Sequence, residues 1–107
     1  MKSGFEEIVK EDFEQYREIA RRFQKVDMAN AGELNQLTIE SWTLASRWSE
    51  IQSMAAKVGQ EYGVSKTDFR DWAYQKYRQL QELHTTCRSW YRLAVEEERQ
   101  IRMMEGI

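Results

Sequence analysis

Apolar side chains recur at alternating steps of four and three residues in three long stretches of this chain. The first runs Phe5, Val9, Asp12, Tyr16, Ile19, Phe23, Val26, with one polar member. The second runs Leu34, Leu37, Ser41, Leu44, Trp48, Ile51, Ala55, Val58, Tyr62. The third runs Phe69, Ala73, Lys76, Leu80, Leu83, Cys87, Trp90, Ala94, Glu97, Ile101, Met104. Such spacing lays one stripe along an α-helix and cannot be laid on one face of a strand. Start signals precede each stretch: Ser3 with Glu6, Asn30 with Glu33 and Ser65 with Asp68 each place a side-chain oxygen three residues before an acidic partner. Gly63, able to take a left-handed conformation, closes the second stretch. The pattern predicts an all-α protein of three long antiparallel amphipathic helices, at about 4–26, 31–62 and 66–104.

The stripes' period lies near 3.5 residues, which predicts shallow antiparallel packing as a helical bundle or coiled-coil hairpin in one domain spanning 1–107. Thr85 and Thr86, β-branched and able to hydrogen-bond locally, are the one soft spot of the third helix, and the spacing leaves open whether it bends there and folds back or runs straight. Unbent, that helix outruns the second beyond Leu93, leaving Ile101, Met103 and Met104 without a neighbour of their own.

Composition adds exclusions. The chain has no proline, 41% hydrophobic and 32% charged residues, and a net charge of −2 with both signs interspersed. That is too apolar for a disordered chain, and a protein built chiefly to grip nucleic acid is usually basic. No apolar run reaches the ~20 residues that span a bilayer and no signal peptide is visible. With one cysteine, Cys87, the expectation is a cytoplasmic protein without membrane contact. His84 and Cys87 supply two metal ligands at most, where a structural zinc wants four. Cys87 falls on the apolar stripe, and no orienting third group or phosphate loop accompanies it. The expectation is a protein that is not an enzyme and uses no cofactor, metal or small-molecule substrate.

Large apolar side chains off the main stripes supply the candidate contacts. Trp42, Trp72, Tyr74, Tyr91 and Ile101 are the residues expected to meet a protein partner or a second copy, because aromatic side chains concentrate in interface centres. The segment from Ala55 to Trp72 also resembles the helix-turn-helix signature of DNA-binding proteins. Val58 and Tyr62 stand at its apolar positions, Gly59 at its small position, Gly63 at the turn, and Phe69 and Trp72 at the buried positions of the second helix. The resemblance implies that Lys66, Thr67 and Arg70 face the major groove and that Lys76 and Arg78 meet phosphate. A third reading has basic residues such as Arg17, Arg21, Arg88 and Arg92 touching nucleic-acid backbone inside a larger complex. A steep crossing at Gly63–Ser65 would favour DNA recognition, and a shallow hairpin an interaction bundle. The long flanking stripes favour the hairpin.

Overall fold

The computed structural model describes residues 4–106, and all of its regular structure is helical. The segments are α1 (Gly4–Ile8), α2 (Lys10–Lys25), α3 (Ala31–Ser53), α4 (Ala55–Tyr62) and α5 (Lys66–Glu105). The start expected at Ser3 lies outside the described residues. Asn30 and Ser65 cap as their spacing predicts, each accepting the backbone N–H three residues on, from Glu33 and Asp68.

Five helices thus stand where three are expected. The first extra break is Val9, with φ −120° and ψ 48°, outside the helical region. The hydrogen-bond ladder passes through it, since Val9 donates to Phe5 and Phe13 to Val9. The second is Met54, whose N–H bonds back three residues to Ile51, a local tightening. Neither break follows from a proline or a disrupted stripe. Gly63 takes φ +67°, the left-handed turn expected of it. α5, by contrast, passes Thr85 and Thr86 without a break and does not fold back. Its 40 residues, ~60 Å at 1.5 Å each, set the 67 × 22 × 16 Å shape.

The core is an α3–α5 hairpin with α1 and α2 laid along one side. Trp48 meets Trp72 and Trp42 meets His84, so residue numbers fall along α3 as they rise along α5. Buried Ser41, Ala45, Ala73 and Cys87 are small enough to let these two helices approach closely. α2 runs antiparallel to α3 and is spaced from the hairpin by aromatic rings, with Phe13 on Trp72, Tyr16 on Trp48 and Phe23 stacked on Trp90 at 5.4 Å. Arginine–carboxylate clamps secure it. Arg22 grips Glu40 through two nitrogens, at 2.7 and 3.3 Å, and reaches Glu33, while Arg47 holds Asp12. The second stripe is buried from Leu34 to Val58, and the third only as far as Ala94.

Two expectations follow. Trp48 is fully buried at the centre, so Trp48→Ala should cost about 3–5 kcal/mol in urea unfolding. The Arg22 hydrogen bond holds the Glu40 carboxyl below its ordinary 4.5. The contribution of this pair is therefore present above that pH and is lost as pH falls through Glu40's depressed value. Stability profiles should show Glu40→Gln flattening the decline of wild-type stability on the acid side.

Candidate interaction surfaces

The side of the α3–α5 hairpin away from α2 carries no helix among the described residues. Two shallow grooves there are lined by α3 and α5 alone, one bordered by Trp42, Ser46, Tyr77 and Gln81, the other by Asn35, Thr38, His84, Arg88, Tyr91 and Arg92. Trp42 stands between them and is 56% exposed, a large value for an indole. It is held upright by its neighbour: His84 donates an Nδ1–H to the carbonyl of Thr38 at 2.8 Å, and its ring lies 5.1 Å from the Trp42 ring. A carbonyl can only accept, so this bond fixes the ring's tautomer.

The charge on this side is one-signed. Lys66, Arg70, Arg88, Arg92, Arg99 and Arg102 fall on one stripe of α5 by helical spacing, together with Tyr74, Tyr77 and Gln81. The acidic residues of α5 (Asp68, Asp71, Glu82, Glu96, Glu97, Glu98 and Glu105) all lie off it. Across the groove α3 contributes Asn35, Thr38, Trp42, Ser46 and Ser49, none of them charged. Arg88 and Arg92 make no ion pair among the described residues, whereas Arg99 is held by Glu96 and Arg78 by Glu82. The opposite groove, between α2 and α3, has the reverse character. Its ~580 Å³ are bordered by Glu11, Glu14, Glu18 and Glu40, with Arg47 at one end, and apolar Ile19, Ile39 and Leu44.

A second surface is the end of α5. Ala94 is its last buried residue, and from Glu97 onward the helix is exposed on every side. Ile101, Met103 and Met104 there are 49%, 67% and 72% exposed.

The five expected contact residues fall in different settings. Trp42 and Tyr91 share one groove, Tyr74 is exposed further along the same side, and Ile101 lies on the free end. Trp72 is partly buried and packed against the core, its ring 5.3–5.9 Å from those of Phe5, Phe13, Trp48 and Phe69. Its position beside the apolar stripe gave no sign of this, because α1 and α2 converge on it from a distant part of the chain. The residues of the helix-turn-helix resemblance divide as well. Lys66, Thr67 and Arg70 are exposed at the head of α5. Lys76 points to the other side, its Nζ 5.2 Å from the Tyr16 ring and 5.6 Å from that of Trp72, where burial lowers its pKa. At the corner Gly59 is closely fitted: a Cβ there would sit 3.0 Å from the Val64 carbonyl oxygen and 3.3 Å from the Lys66 Cβ, so these neighbours would have to shift by a few tenths of an ångström. The two arms stay together beyond this corner, with contact at Trp48–Trp72 and again at Trp42–His84. These contacts join α3 to α5; the first arm of the corner itself is the eight-residue α4.

Comparison with family models, curated proteins and solved structures finds no match.

Among the described residues no three His, Cys, Asp or Glu side chains gather as a metal would need, and no helix is long and apolar enough to cross a membrane. Cys87 is fully buried, and burial pushes its thiol up to about 11. Because the thiolate is the reacting form, a disulfide reagent at pH 8 should label native protein far more slowly than urea-unfolded protein, a difference read directly from the absorbance time course.

Proposed function

We propose that this chain is a non-enzymatic helical interaction module, a small subunit or regulatory protein that joins a second copy or a larger complex through the free end of α5. The observation that supports this most directly is the exposure of Ile101, Met103 and Met104 on a helix that has left its own core behind. Isolated helices shorter than ~12–15 residues are marginal in water, and Glu96–Glu98 in the last turns oppose the helix dipole. A neighbouring helix would cover the methionines and offset that charge. The adaptable thioether chains of Met103 and Met104 suit such a contact.

A helix-turn-helix regulator is the second reading, supported by the exposure of Lys66, Thr67 and Arg70. The long shared run of α3 and α5 favours the interaction module over it.

Light scattering after sizing chromatography, paired with hydrogen exchange of α5, tests the first reading. The expected result is either a mass above 12.9 kDa that returns to that of one chain in Ile101→Asp/Met104→Asp, or a monomer in which residues 97–105 exchange far faster than α3. A monomer whose α5 end is as protected as its core needs no partner, and would overturn the proposal.

A further inference from the structure

We infer that the uncovered side of the α3–α5 hairpin binds single-stranded nucleic acid, phosphates on the α5 arginines and unpaired bases on Trp42 and Tyr91. This goes beyond the partnering of the α5 end and does not depend on it.

Binding of unpaired strands without sequence preference needs two things together, a line of positive charge for the backbone and aromatic faces for the bases. The open side supplies both within one groove. Arg88 and Arg92 border it with no ion pair among the described residues, so no existing bond has to be broken before a phosphate is met. Trp42 and Tyr91 border the same groove, with Trp42 more than half exposed. The His84–Thr38 hydrogen bond orders the ring against which Trp42 rests, which lowers the entropy lost on stacking.

The chain's net charge of −2 does not oppose this, because the stripe of α5 that faces the open side is basic locally. Carboxylates border the α2–α3 groove on the far side, while the α5 stripe from Lys66 to Arg102 has none over ~54 Å. At physiological salt the Debye length is ~8 Å, so a strand on the open side is largely screened from the acidic one. The grooves are shallow and flanked by rings, a form that suits splayed bases better than the regular backbone of a duplex. An acidic protein segment would match the charge but would leave Trp42 and Tyr91 without flat partners.

The test is fluorescence anisotropy with a labelled oligothymidylate of about 20 nucleotides, its oligouridylate counterpart, a duplex of the same length, and polyglutamate as competitor. Both single strands should bind more tightly than the duplex. Affinity should fall about 20-fold between 50 and 200 mM salt if three phosphates are met. Arg88→Ala/Arg92→Ala should weaken binding and flatten that salt dependence. Trp42→Ala should weaken binding about tenfold with the salt dependence unchanged, whereas Arg17→Ala/Arg21→Ala on α2 should do neither. All these side chains are exposed, and circular dichroism checks that each variant is folded. No binding at low salt, equal or tighter binding of the duplex, displacement by polyglutamate at lower concentration than by unlabelled strand, or indifference to the Arg88/Arg92 pair would each overturn the assignment. None of these outcomes bears on the mass and exchange measurements that test the partnering of α5.

Discussion

Four aromatic rings close on the indole of Trp72: Phe5 from α1, Phe13 from α2, Trp48 from α3 and Phe69 from α5 itself. Four of the five helices meet at this one side chain. Such rings bury large areas and gain further from tilted and edge-on geometry. The buried Trp48 Nε1 has no hydrogen-bond acceptor among the described residues, so this knot is held by packing. Lys76 lies over it, trading solvation for the faces of Tyr16 and Trp72.

Anchoring α1 and α2 there has a consequence for the rest of the molecule. With one side of the hairpin occupied, Trp42, His84, Tyr91 and the α5 arginines are left on the other. The Arg22 and Arg47 clamps pair with carboxylates of α2 and α3 on the covered side and fasten α2 there. The chain carries a net charge of −2, yet the α5 stripe from Lys66 to Arg102 holds basic residues and no acidic one. The local charge of such a stripe matters more than the net charge, because a charged group senses the field only within a Debye length of the surface it meets.

The length of α5 adds a separate constraint. A helix of ~60 Å cannot be covered by an α3 of 23 residues, even with α4 continuing it. The surplus falls at the C-terminal end because α4 and α5 are registered at the Gly63 turn. The radius of gyration, 17.9 Å, against ~13 Å for a compact chain of this size, expresses that surplus.

The sequence by itself determined the helical class, the caps at Asn30 and Ser65, the turn at Gly63 and most of the buried seam from Leu34 to Ala94. These are local properties: capping needs atoms three residues apart, and a stripe needs only a helical period. It also showed that Ile101 and Met104 continue an apolar seam. The breaks at Val9 and Met54 were not legible, because neither residue is a helix breaker and the apolar stripe runs through both without interruption. Trp72 and Tyr91 look alike in the sequence, both beside a stripe, yet α2 packs over the first and leaves the second at the edge of an open groove. The one-signed stripe from Lys66 to Arg102 is written in the spacing of α5, but its exposure is not. Which side of the hairpin α2 would cover was a matter of where its aromatic rings could find a common partner, and only the assembled structure decided that.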